Sequence, residues 1–285
     1  MKPAPFVYHA PKTLEETIAV LAEVAPEDGR VLAGGQSLVP TMAFRLARPA
    51  HLVDINRVAG LDRFAVEDHA LSIRACVRHA AFHRPVTAGP LGNLLAFVVR
   101  HIAHYPIRTR GTFCGSLAHA DPASEWCLVV ATLGGEIRAR SVRGTRRIAV
   151  EDFFQGLMAT ALAEDELLEE AQLPIIPPDT HWGFYEFSRR AGDYALAMAL
   201  TTFRLENGVI AEPRLGLGGV EASPRRIPEA EAALDGKPPE LAVFRQAAEA
   251  AADVIEPLED IQASAEYRRD LVRAVARRAL ERAAA

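Results

Sequence analysis

Cysteine is scarce in this sequence. Only Cys76, Cys114 and Cys127 occur in 285 residues, an odd count without C-x-x-C spacing. That excludes a disulfide framework, a zinc knuckle and an iron–sulfur cluster ligated within the chain. A reducing cytoplasm is the expected compartment. Positive charge is not in surplus either: 32 Lys and Arg stand against 37 Asp and Glu, for a formal charge of −5. Phosphate neutralisation needs a basic face, so nucleic acid is not an expected partner. Long apolar runs are missing too. The longest, 194–203, is strand-sized and far short of the roughly 18 residues of a membrane helix, so no transmembrane segment is expected. The opening MKPAPFVYHAPK has no apolar h-region and no small-residue cleavage site, so nothing marks the chain for export.

What remains is a globular composition, 49% apolar and 24% charged. At roughly 100–200 residues per domain, the length suits two or three small domains or one large one. Thr13-Leu-Glu-Glu16 reads as a capping box ahead of Leu14, Ile18 and Leu21 at helical spacing, predicting a helix over 13–25. Pro26 and Gly29 close it. Val31–Ala33 then reads as a short buried strand, followed by a helix to about Arg45 and a strand at 52–55, so residues 1–55 form a β-loop-α-β unit. Leu71, Ile73, Ala75 and Val77 alternate with polar or small neighbours, predicting a half-buried antiparallel strand. Helices are expected over 90–104 and from Pro122 through Leu133, and a hairpin from strands 136–141 and 145–150. Residues 56–176 thus form a second α+β part. The proline-rich joint 173–178 marks a boundary. Beyond it, 177–285 reads as a three-stranded antiparallel sheet with strands near 182–190, 194–205 and 209–220. Asn207-Gly208 makes the second turn, and a helical tail follows.

Two glycine-rich loops close apolar segments: Ala33-Gly34-Gly35-Gln36-Ser37 and Gly111–Ser116. Glycine permits close backbone approach and positive φ, and successive N–H groups attract a phosphate. Either loop alone reads first as an ordinary tight turn, since short glycine patterns recur by chance. No G-x-x-x-x-G-K-S/T is present, and Gly216-Leu-Gly218-Gly219 lacks the third glycine of G-x-G-x-x-G, so neither a P-loop nor a Rossmann site is expected.

Taken together, VLAGGQSL at 31–38, IRTRGTFCGSLAHADPASEW at 107–126 and RRAGDYAL at 189–196 carry a wider resemblance. They resemble, in order and over nearly the full length, the FAD-binding medium subunit of the molybdenum hydroxylases, the group of aerobic carbon monoxide dehydrogenase and xanthine dehydrogenase. The resemblance implies an α+β fold, with a two-part PCMH-type (vanillyl-alcohol-oxidase-like) FAD-binding region and a small α+β C-terminal domain. It implies that Leu32, Ala33, Gly34, Gly35, Gln36, Ser37 and Leu38, with Thr112, Cys114, Gly115 and Ser116, cradle FAD. It places His119, Asp121 and Glu125 among the flavin's polar neighbours, Leu168 at an apolar contact, and Tyr194 against the isoalloxazine. The implied role is electron transfer. A large subunit carries molybdopterin, a small subunit carries two [2Fe–2S] clusters, and the FAD of this subunit passes electrons to quinone, NAD or another acceptor. Flavin supplies the redox chemistry, so no acid–base dyad and no catalytic residue are implied. Two other readings are a stand-alone flavin oxidoreductase and a non-catalytic assembly module. The substrate of the complex is chosen in another polypeptide.

In that family the second loop reads T-x-G-G-N/S, and here Cys114 stands in place of the first glycine. Either the loop shifts or that position does not need the left-handed region, which a Cβ makes costly. With no second cysteine or activating motif beside it, Cys114 reads as a passive small residue rather than a redox group. His101 and His104, three apart on the expected helix, read as packing or surface residues because nothing completes a ligand set. Arg108 and Arg110 stand either near phosphate or on a solvated face. The arginines from Arg268 to Arg282 read as a solvated or subunit-docking surface.

Overall fold

A computed structural model describes residues 2–285. The elements are β1 (Val7–His9), α1 (Leu14–Val24), β2 (Gly29–Leu32), α2 (Leu38–Ala43), β3 (His51–Asp54), β4 (Phe64–Glu67), β5 (Ala70–Arg74), α3 (Gly89–Val98), α4 (Tyr105–Arg108), α5 (Phe113–His119), α6 (Glu125–Leu133), β6 (Glu136–Ser141) and β7 (Gly144–Ala149). After these come β8 (Phe154–Gly156), β9 (Ala159–Thr160), β10 (Leu167–Pro174), β11 (His181–Phe187), β12 (Ala197–Glu206), β13 (Val209–Gly218), β14 (Arg225–Arg226), α7 (Pro228–Leu234), α8 (Leu241–Val254) and α9 (Ala265–Ala284).

Three sheets carry the architecture. The first is parallel, in the order β1-β3-β2, and α1 lays Leu21 and Val24 against Val53 and Ile55. Thr13 caps α1 by accepting from the Glu16 amide at 3.1 Å, while Glu16 reaches back to the Lys12 amide at 2.8 Å. The strand β1 escaped the sequence reading because three residues, largely exposed, carry too little pattern.

The second sheet runs β4-β5-β10-β6-β7, antiparallel throughout. Its largest core gathers Leu71, Ile73, Phe82, Phe113, Trp126 and Phe153, and it is continuous with Phe184, Met198 and Leu200 of the third sheet. Here several expectations need correction. The strand around 71–77 ends at Arg74, and Ser72 and Cys76 are buried with their apolar neighbours, because α5 covers one face and the N-terminal unit the other. The strand β10 was not read from sequence at all, since Glu169 and Glu170 break its apolar run; both are buried and paired, Arg74 reaching them at 3.0 and 3.1 Å. The helix expected over 90–104 stops at Val98. The helix expected from Pro122 begins at Glu125, because the Asp121 carboxylate takes the Ala123 amide at 2.9 Å and its carbonyl takes that of Ser124, folding 121–124 into a turn. The second helix is present as expected and ends at Ala43, capped at Phe44, just before Arg45 turns to φ +59°.

The third sheet, β11-β12-β13-β14, is antiparallel, with a two-residue fourth strand at its edge that sequence pattern did not reveal. Asn207 and Gly208, at φ +52° and +81°, make the two-residue hairpin turn. Helix α9 lies along β11 and β12. Its arginines all bond within the chain, Arg268 buried and Arg278 and Arg282 exposed: Arg268 donates to the Leu196 and Gly219 carbonyls, both at 2.7 Å, Arg269 to those of Ala252 and Ile255, and Arg282 to that of Phe184.

Candidate functional site

The loop 33–37 leaves β2 and enters α2. Gly35 takes φ +70°, a left-handed conformation that only glycine adopts without strain. Among the described residues, the N–H groups of Gly35, Gln36 and Ser37 donate no hydrogen bond, so a row of free backbone donors lines the bend. The second loop lies directly against it. A Cβ on Gly34 would stand 2.5 Å from the Arg110 carbonyl oxygen and 2.6 Å from the Gly111 Cα, so the two bends touch backbone to backbone.

Two residues that the sequence reading missed hold this junction. Asn56 donates to the Ala33 carbonyl at 2.8 Å, and Arg78 donates both to Asn56 at 2.5 Å and to the Arg110 carbonyl. Arg78 was legible only as one polar position in an alternating run. Thr112 caps α5 by accepting from the Gly115 amide at 3.0 Å, and a Cβ on Gly115 would strike that hydroxyl at 2.5 Å. Beneath Gly111 lies His79, whose amide donates to the Gly111 carbonyl at 3.0 Å. Its Nδ1 accepts from Trp126 Nε1 at 2.9 Å, which puts the ring proton on Nε2. Burial, with Arg78 and Arg108 nearby, pushes its pKa down to about 3, so the ring is neutral.

Cys114 lies within α5 in ordinary helical backbone, so the position does not need the left-handed region, and its thiol donates to the Ile73 carbonyl at 3.3 Å. Burial raises all three thiols, Cys76 to about 11 and Cys127 to about 12, with Cys114 pushed up as well. An aromatic disulfide reagent is therefore expected to titrate no thiol in the native chain and three in denaturant. One fast-reacting thiol in the native state would contradict this picture.

The other expected residues fall in two places. Asp121 and Tyr194 line a cavity of about 580 Å³ with Arg189, Gly192, Met158 and Arg268, and Tyr194 is 67% exposed. Glu125, in the first turn of α6, is close enough to Asp121 to feel its charge and in turn acts on Tyr194. His119 is half-buried in the last turn of α5. Leu168 lies at 4% exposure in the main core, the cluster that also holds Phe113 and Cys114 of the second bend. Because α3 ends early, His101 and His104 share no helix face; His104 packs under Gly192, and among the described residues no group of three or more potential metal ligands forms. Arg108 turns inward to the carbonyls of Arg100, Ile102 and Ala103.

Comparison with known proteins gives the family. Residues 4–176 match the family described as the FAD binding domain in molybdopterin dehydrogenase, and 182–283 match the CO dehydrogenase flavoprotein C-terminal domain. The chain belongs to the FAD-binding medium subunits of the molybdenum hydroxylases. It is 39% identical to the nicotine 6-hydroxylase medium subunit of Paenarthrobacter nicotinovorans, over 98% of this chain and 97% of that one. The carbon monoxide dehydrogenase medium chain of Hydrogenophaga pseudoflava is 32% identical, over 99% and 98%. Among solved structures, quinoline 2-oxidoreductase from Pseudomonas putida 86 superposes with a TM-score of 0.94 at 38% identity, covering 100% of this chain and 99% of that one. The medium-subunit fold expected from the sequence is thus present, and the chain is an FAD-binding oxidoreductase subunit. No helix is long and apolar enough to cross a membrane among the described residues.

Proposed function

We propose that this chain binds FAD across the two glycine bends and relays electrons. They arrive from [2Fe–2S] clusters of a small partner subunit, after a large molybdopterin subunit has oxidised the substrate, and leave to an external acceptor such as quinone or NAD. The observation that supports this reading most is the backbone contact of Gly34 with Gly111, braced by Arg78 and Asn56, beside the unpaired amides of 35–37. Backbone donors satisfy a diphosphate without burying cationic side chains. Leu32, Ala33, Gln36, Ser37 and Leu38 would hold one side of the cofactor, and Thr112, Cys114, Gly115, Ser116 and His119 the other. Asp121, Glu125 and Tyr194 would meet the flavin ring, with Leu168 behind it. FAD supplies the exchange between single-electron donors and a two-electron acceptor. The chain positions it, shields it and sets its charge surroundings.

Three buried cysteines are fewer thiolates than the four that a [2Fe–2S] centre takes, so the clusters belong to another chain. Free thiols also suit a reducing cytoplasm. On this reading residues 1–55 and 56–176 together hold the cofactor, and 177–285 contributes Tyr194. The purified full chain, supplied with FAD, is expected to show the visible bands of oxidised flavin at stoichiometric content. Affinity capture from its native host is expected to bring down one polypeptide with molybdopterin and one with iron–sulfur absorption. A colourless chain would remove the reading, and capture of a flavoprotein without partners would favour a stand-alone oxidoreductase.

A further inference from the structure

Four side chains run in an unbroken line of hydrogen bonds from the edge strand β1 to the two glycine bends. Asp54 closes β3 opposite Leu32, the residue from which the first bend departs. Tyr8, half exposed on β1, donates its hydroxyl to Asp54 Oδ2. The other carboxylate oxygen, Oδ1, takes the Asn56 backbone amide at 2.9 Å and the Asn56 side-chain Nδ2 at 2.5 Å. That same Nδ2 reaches the Ala33 carbonyl at 2.8 Å, and Asn56 Oδ1 accepts from Arg78 at 2.5 Å. Arg78 stands on the far side of the junction. Its neighbours Val77 and His79 are bonded to the second bend through the Phe113 amide and the Gly111 carbonyl, both at 3.0 Å, and its other guanidinium arm holds the Arg110 carbonyl. The Asn56 amide is thus where this line crosses from one bend to the other.

The orientation of that amide decides whether the crossing exists. Turned over, it would set its oxygen against the Asp54 carboxylate and the Ala33 carbonyl, and its NH2 against the Arg78 guanidinium, donor facing donor. Asp54 specifies the working orientation, because an ionised carboxylate only accepts. Burial opposes its charge, yet the bonds from Tyr8 and Asn56 outweigh this and hold the carboxyl below the ordinary range.

We propose that Tyr8 and Asp54 are positioning residues for the cofactor: acting through the Asn56 amide and Arg78, they hold the bends at 33–37 and 111–116 in register, so that the tightness of FAD binding depends on a hydroxyl of the edge strand. The inference rests on the reading that these bends grip FAD. Neither residue has to meet the cofactor itself. Their effect is to keep the two rows of backbone donors at a fixed separation before the ligand arrives, which spares binding the cost of ordering them.

Equilibrium dialysis of FAD against the cofactor-free full chain tests this. Asp54→Leu, similar in size but without an acceptor, is expected to weaken binding by at least about tenfold, the share of one charge-assisted hydrogen bond. Asp54→Asn keeps an oxygen for Asn56 and can turn its own NH2 to the Tyr8 hydroxyl, so it should restore affinity to within about threefold of the parent. Tyr8→Phe removes one oxygen from a half-exposed ring, which leaves the chain folded, and should weaken binding about threefold or more. The discriminating variant is Asp54→Leu placed on Asn56→Ala. If the carboxylate acts through the amide, the second change costs no more than about twofold, whereas a separate structural role multiplies the two losses. Multiplied losses, or parental affinity in either Asp54→Leu or Tyr8→Phe, would overturn the inference and leave FAD binding intact. A chain that takes up no FAD would sink both.

Discussion

Gly34→Ala is expected to give a folded chain that purifies without FAD. The added methyl would stand 2.5 Å from the Arg110 carbonyl oxygen and 2.6 Å from the Gly111 Cα, distances that force backbone to move. No flexible side chain is there to yield. The two bends must part, and with them the row of amides proposed to grip one pyrophosphate. A donor array displaced by an ångström loses charge-assisted hydrogen bonds, each contributing about 1.5–3 kcal/mol, so the loss of two or three lowers affinity by several orders of magnitude. Gly35→Val acts by another route. A β-branched residue at φ +70° is strained, and its Cβ would press on Val39 at 3.1 Å. Both variants should keep the far-ultraviolet dichroism of the parent while the flavin absorbance per chain falls at least tenfold. Full cofactor content in both would mean that the dinucleotide lies elsewhere.

The largest effect on stability is expected at Trp126. It is fully buried between Phe82 and Phe113, with ring centroids 5.1 and 5.0 Å away, and it is the donor to His79. Trp126→Ala removes the indole and leaves a cavity, at a cost of about 3–5 kcal/mol. Trp126→Phe keeps most of the volume but orphans the His79 Nδ1 acceptor, costing about 1–3 kcal/mol. Urea unfolding monitored by dichroism should report both losses as midpoint shifts at unchanged slope; a drop of less than about 1 kcal/mol for the alanine variant would contradict the packing described. His79 adds a pH signature. Unfolded, its imidazole binds a proton near pH 6.5; folded, only near pH 3. The unfolded state therefore takes up the proton first. The contribution of His79 is complete above the ordinary value and is lost as pH falls through that window.

Where elements carry strong local signals, sequence and structure agree. The capping box at Thr13, the alternating strands of the 136–150 hairpin and Asn207-Gly208 each specify their backbone within a few residues. What stayed hidden depends on partners distant in sequence. Buried Glu169 and Glu170 look like surface residues until Arg74 and Arg138 are seen across the sheet. The short span of α3 is invisible in its apolar run, and so is the use of Arg268 as an internal clamp. At the site, the glycine motifs reveal which bends matter but not that they touch. Asn56 and Arg78, which join them, belong to no motif. Glu186 looks like an ordinary strand residue until β11 is placed against α3 and its carboxyl is seen to be buried.

The grip of Arg268 on the carbonyls of Leu196 and Gly219 joins two stretches distant along the chain through one guanidinium. The backbone just after Tyr194 is thereby fastened to α9, so any slippage of that helix would be transmitted to the tyrosine.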